Sequence, residues 1–117
     1  MHVLVCGSRH YSNRDALFKA LDDIHSTIPI TCVIHGAAPG ADSLAGSWAK
    51  ARNIDCQKFP AKWDLYGHAA GPIRNQEMLD IGRPDFIVAF TFEAGPGTRN
   101  MITLAKRAGL DVHEIHG

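Results

Sequence analysis

The sequence predicts an α/β domain: a parallel sheet of five strands, doubly wound in the order 3-2-1-4-5, with helices on both faces as a three-layer sandwich. Three observations predict it. Short apolar runs alternate along the whole chain with stretches of helical spacing. One of those runs, Phe86–Phe90, carries no charge, as expected of a strand buried on both faces of a parallel sheet. Glycine-bearing turns at Gly7, Gly36 and Gly95 follow strand-like runs and precede helical ones.

In chain order, His2–Cys6 is the first strand and runs into Gly7-Ser8-Arg9. Ser12, with Asp15 after it, reads as a capping-box-like helix start, and Ala16, Leu17, Ala20, Leu21 and Ile24 share one helical face. Thr31–His35 is the second strand, Gly36–Asp42 the turn after it, and Leu44, Ala45, Trp48 and Ala49 mark a second helical face ending near Asn53. Asp55–Phe59 is a third strand. Pro60–Ala70 is longer than the usual α/β connection and holds Trp63, Tyr66 and His68, so it reads as a functional loop. Gly71-Pro72 opens the next helix, whose Arg74, Met78 and Ile81 share a face and which Gly82 ends. After Phe86–Phe90, Gly95-Pro96-Gly97-Thr98 leads into a helix carrying Met101, Ile102, Ala105 and Ala108, with Gly109 as its cap and Asp111–Ile115 as the fifth strand.

The bulk composition narrows the function. At 117 residues without linkers or repeats, residues 1–117 form a single domain. Twelve basic residues balance twelve acidic ones, which argues against broad electrostatic capture of nucleic acid or of an anionic membrane but leaves room for one small anion. Met1–Cys6 reads as a strand at once, so no signal peptide is expected, and no apolar run is long enough to span a bilayer. Cys6, Cys32 and Cys56 lie in strand-like runs and read as buried thiols of a cytoplasmic protein. The seven histidines are scattered, and His113 and His116, the close pair, fall on opposite faces of a strand, so no metal site is expected.

Function is expected where the turns converge. In an open parallel sheet the ligand lies beyond the carboxyl ends of the strands, at the switch in strand order. Gly7, Ser8 and Arg9, Gly36 and Gly40, and Gly95, Gly97 and Thr98 all fall on that edge, with Arg74 and Asn75 at the start of a helix on the same rim. Gly95–Thr98 reads either as a tight turn with Thr98 as N-cap or as a phosphate loop whose N–H groups and helix start face an anion. Asp42 either complements a helix dipole or holds ribose hydroxyls. Arg9 and Arg74 suit bidentate contact with phosphate. Trp63 and Tyr66 read as packing residues, or as a platform for a base if the loop covers the site. The dinucleotide glycine fingerprint, the Walker A lysine motif and the serine nucleophile elbow are all missing.

Taken together, Cys6-Gly7-Ser8-Arg9 with Tyr11, His35-Gly36, Ala41-Asp42-Ser43-Leu44-Ala45 and Trp48-Ala49 resemble the YspA-like branch of the SLOG superfamily. Trp63, Tyr66-Gly67, Ala69 through Asn75 with Met78, Pro84-Asp85, Gly97-Thr98 and Asn100-Met101 extend the resemblance over nearly the whole chain. It implies a Rossmann-like fold and a nucleotide or nucleotide-derived ligand, and, as in relatives that pair their helices, a homodimer. Phosphoribohydrolases of the superfamily, including the LONELY GUY enzymes, carry Pro-Gly-Gly-x-Gly-Thr-x-x-Glu and an upstream arginine. Gly95, Gly97, Thr98 and Arg74 match that pattern, while Glu93 and Ala94 replace its first Pro and Gly, and Met101 replaces its catalytic Glu. A methionine supplies no carboxylate to stabilise an oxocarbenium-like centre or to activate water. The expectation is therefore a nucleotide sensor or sequestering protein without a cofactor. The alternative is hydrolysis of a nucleoside monophosphate, with Arg74 and either Glu93 or Asp42 in the catalytic roles.

Overall fold

The computed structural model describes residues 1–117. Alternation within its strands sets the layers. Successive side chains of a strand point to opposite faces, so in β1 (His2–Gly7) Val3 and Val5 enter one core while Leu4 and Cys6 enter the other. The first core gathers Leu17 and Leu21 of α1 (Arg14–Thr27) with Ala45, Trp48 and Ala49 of α2 (Ala41–Ala51). The second gathers Met78 and Leu79 of α4 (Ala70–Asp80) with Met101 and Ala105 of α5 (Pro96–Arg107). One sheet between two helix layers follows.

The sheet order is β3-β2-β1-β4-β5, with β2 at Cys32–His35, β3 at Asp55–Lys58, β4 at Phe86–Phe90 and β5 at Val112–Ile115. All neighbours pair in parallel, in registers such as Val3 with Val33 and Val5 with Val88. This is the doubly wound, Rossmann-like order expected from the sequence. Its central strands are largely buried, whereas at the edges β3 is mostly exposed and β5 half exposed. No helix is long and apolar enough to cross a membrane.

Several local readings are corrected. The cap of α1 is Asn13, whose Oδ1 accepts the Ala16 N–H at 3.2 Å, and Ser12 lies outside the helix. Asn and Ser are nearly equivalent caps, so the choice fell to chain path and not to residue type. Thr98 is not the cap of α5 either. That helix starts at Pro96 with Gly95 as N-cap, because Pro has no N–H to leave unsatisfied and suits the first helical position. Within Pro60–Ala70 the chain makes a short helix, α3 (Trp63–Tyr66), and a further 3-10 turn at Gly67–Ala69. Finally, Ile81 is exposed at the end of α4, and the buried face there runs through Asn75, Met78 and Leu79 instead.

Candidate functional site

A cleft of about 670 Å³ opens at the carboxyl edge, at the switch between β1 and β4. It is lined from three turns, one helix start and the segment after β3: Gly7–Arg9 after β1, Gly36–Pro39 with Asp42 after β2, Gly95–Thr98 after β4, Gly71, Pro72, Arg74 and Asn75 of α4, and Pro60, Ala61, Trp63 and His68. Each predicted ligand residue except Gly40 lies on its wall.

At the start of α5 the N–H groups of Gly97 and Thr98 have no protein acceptor, since the first intrahelical bond runs from the Arg99 N–H to the Gly95 carbonyl at 3.3 Å. A helix of this length presents those amides with the positive end of its dipole. Nothing lies near a Cβ built on Gly95 or Gly97, so the turn faces open space.

Arg74 is not the free guanidinium that its position on the rim suggested. Its Nη1 donates to the Gly36 carbonyl at 2.6 Å and to the Phe59 carbonyl at 3.4 Å, and its Nε donates to Asn75 Oδ1 at 2.9 Å. Nη2 alone is without a protein partner. Burial pulls its pKa below the ordinary value, against the opposing charge of Asp42 and then Cys6. A Cβ at Gly36 would overlap Arg74 Nη1 and stand 3.0 Å from Asp42 Oδ2, so glycine lets both side chains close on this turn.

Asp42 is buried, and its Oδ2 accepts the N–H groups of Gly36 at 3.0 Å and Ala38 at 3.2 Å. The carboxylate thereby folds the β2–α2 turn around itself through Oδ2, while Oδ1 has no partner in the protein. Burial pushes its pKa up to about 6, opposed by the Ala38 amide, the Arg74 charge and the Gly36 amide. Cys6 forms part of the floor, and burial followed by the nearby Asp42 charge pushes its thiol up, so it is protonated and unreactive.

Other predicted residues are also held by contacts within the protein. Asn75 is buried and donates to the Gly97 carbonyl at 3.1 Å and to Asn100 Oδ1 at 3.0 Å, pinning α4 to the first turn of α5. Ser8 is buried too. Its carbonyl accepts the N–H groups of Tyr11 and Ala41, and its Oγ accepts that of His10. At Gly7 a Cβ would come 2.7 Å from Ala41 Cβ, so this glycine lets β1 and α2 approach. Gly40, at φ +80, is packed against the carbonyls of Ser8 and Arg9, outside the cleft wall.

Glu93 stands apart. It is exposed on the β4–α5 turn at φ +55 and does not line the cleft, which leaves Asp42 as the carboxylate there. Met101, at the position of the enzymes' glutamate, is buried in the second core. Trp63 and His68 reach the mouth, whereas Tyr66 does not. Sequence reasoning missed Asn100 and did not weigh His68 as a wall residue. Asn75 carried a usable signal, a polar residue on the face that Met78 and Leu79 bury.

Comparison with known proteins bears on the same residues. The model of the YspA, cpYpsA-related SLOG family matches residues 1–66, which include the first two turns of the cleft. The gene 61 protein of Mycobacterium phage D29 is 35% identical over 116 residues, covering 94% of this chain and 92% of that protein. In fold, the crystal structure of glycinamide ribonucleotide transformylase 1 from Symbiobacterium toebii is similar at a TM-score of 0.45 and 14% identity. That likeness covers 86% of this chain and 47% of the transformylase, so the chain spans about half the length of that protein.

Proposed function

The chain belongs to the YspA, cpYpsA-related SLOG family, and on that premise we propose that it binds a nucleotide or nucleotide-derived ligand as a sensor or sequestering protein. One observation carries the reading: the unpaired Gly97 and Thr98 amides share a cleft with Arg9, Arg74 and the buried Asp42. Two arginines and a helix N-terminus favour a phosphate. Asp42 Oδ1 accepts from ribose hydroxyls, and Trp63 at the mouth offers a face to the base.

Binding is favoured over catalysis because glycosidic hydrolysis ordinarily needs two carboxylates, and Asp42 stands in the cleft without Glu93. The rival reading, hydrolysis of a nucleoside monophosphate, rests on Asp42, whose raised pKa near 6 suits a general acid or base. Pairing of two copies belongs to the same proposal, with the exposed Leu65 and Tyr66 of α3, which stand outside the cleft, as the apolar face that a second copy covers.

Calorimetric titration tests the assignment. A nucleoside monophosphate should bind and the matching nucleoside should bind far more weakly. Gly97→Val has room for its side chain and should stay folded while covering the amides, so it should abolish the phosphate-dependent part. Equal affinity for nucleoside and monophosphate, or no effect of Gly97→Val, would remove the phosphate site. Release of free base from the monophosphate, lost in Asp42→Asn, would establish the hydrolase instead.

A further inference from the structure

His35, the last residue of β2, is buried, yet its Nε2 has no hydrogen-bond partner in the protein. Its other nitrogen is committed: Nδ1 accepts the Ala37 N–H at 2.9 Å. Because that site must be an acceptor, the proton of the neutral ring sits on Nε2, which makes the orphan atom a donor. Burial, followed by the charge of Lys58, holds the ring's pKa down at about 4, so it is neutral at physiological pH.

Buried polar groups are nearly always paired, and an exception calls for a partner. Beside the ring the structure provides a place for one. A second cleft, of about 610 Å³, lies between α2 and the edge strand β3, with His35, Ser47, Lys50, Asp55 and Lys58 in its wall. Gly46 of α2 also lines it, and a Cβ there would come 3.0 Å from Nε2, so a side chain at this position would crowd the buried donor. Neither lysine forms an ion pair, and the two outnumber the single aspartate. The β2–α2 turn separates this cleft from the first, with Ala37 in both walls.

We propose that the α2–β3 cleft is a second ligand site, which takes a small oxyanion, a phosphate or carboxylate group, on His35 Nε2 between Lys50 and Lys58. A neutral N–H in the floor fixes the position of one oxygen, and the two ammonium groups neutralise the charge from the rim. The site is independent of the nucleotide reading, because none of its donors lies in the first cleft.

The test is an NMR titration of the histidine ring nitrogens with inorganic phosphate, and separately with acetate, against sodium chloride at matched ionic strength. At least one oxyanion should move the His35 Nε2 signal saturably in the millimolar range, and chloride should not. The acetate and phosphate arms distinguish a carboxylate site from a phosphate site. Gly46→Ala keeps a good helix former in α2 but crowds the Nε2 edge, so it should weaken the response by about tenfold or more. Lys58→Gln should weaken it severalfold. Gly97→Val, which covers the amides of the first cleft, should leave it intact. A His35 signal that no oxyanion moves, that chloride moves equally, that survives Gly46→Ala, or that vanishes in Gly97→Val would overturn the second site.

Discussion

Asp42 and His35 lie on opposite sides of the same turn, and burial perturbs their protonation in opposite directions. Folding raises the Asp42 pKa from 3.8 to about 6 and lowers that of His35 from 6.5 to about 4. The raised carboxyl contributes stability that is fully present below 3.8 and is lost as pH rises through about 6. The depressed imidazole contributes stability that is present above 6.5 and is lost as pH falls through about 4. Between those limits the unfolded chain binds about one more proton at His35 and about one fewer at Asp42, so the two slopes, each about 1.4 kcal/mol per pH unit, nearly cancel. The nearby charges are Arg74 and Cys6 for Asp42 and Lys58 for His35. Arg74 stays charged in this window, and burial keeps the Cys6 thiol protonated through it. Asp22, lowered chiefly by its hydrogen bond with Arg52, acts below 3.8.

The wild-type protein should therefore show a flat stability profile through this window. Asp42→Asn keeps an oxygen for the Gly36 and Ala38 amides and removes the descending slope, so its stability should rise by about 3 kcal/mol from the acid to the neutral end. His35→Asn retains an acceptor for the Ala37 amide and should show the mirror image, a loss of about 3 kcal/mol. Urea denaturation followed by tryptophan fluorescence at stepped pH reads both, as slopes within each variant, so any fixed cost of the substitution drops out. A flat Asp42→Asn profile would show that the two groups are not perturbed as a compensating pair.

Three further outcomes are expected. Arg74→Ala should weaken a nucleoside monophosphate by about tenfold to a hundredfold and barely change the nucleoside, and Arg74→Lys should recover only part; equal losses for both ligands in calorimetry would remove Arg74 from the phosphate site. Glu93→Gln should leave affinity unchanged, since Glu93 is exposed and outside the cleft, and a large loss would mean that the β4–α5 turn closes over the ligand. Gly40→Ala should lower stability by about 1–3 kcal/mol in thermal or urea unfolding, because φ is +80 and the new Cβ meets the Ser8 and Arg9 carbonyls; an unchanged midpoint would show that the turn yields freely.

The strand order and the edge on which the turns gather were legible because they rest on short-range rules. Apolar runs such as Phe86–Phe90, helical spacing at Leu17 and Leu21, and glycine after strands act over a few residues at a time, and one βα alternation allows few topologies. Where each side chain on that edge points depended on partners far away in sequence, which no local pattern contains. Arg74 turned inward because the Gly36 and Phe59 carbonyls needed a donor, and Asn75 became a strut because Gly97 and Asn100 lie across from it. Gly7 and Gly40 were legible as residues of that edge, but the close approach of α2 to the end of β1 that requires them to be glycine was not. His35 read as one more residue of the second strand, and its unpaired nitrogen emerged only when Ala37 took one side of the ring and the fold buried the other beside Gly46 without a partner. Periodicity determines which face a residue occupies, whereas hydrogen-bond partners are decided by packing, because a buried polar group must be satisfied by whatever the assembled fold brings within reach.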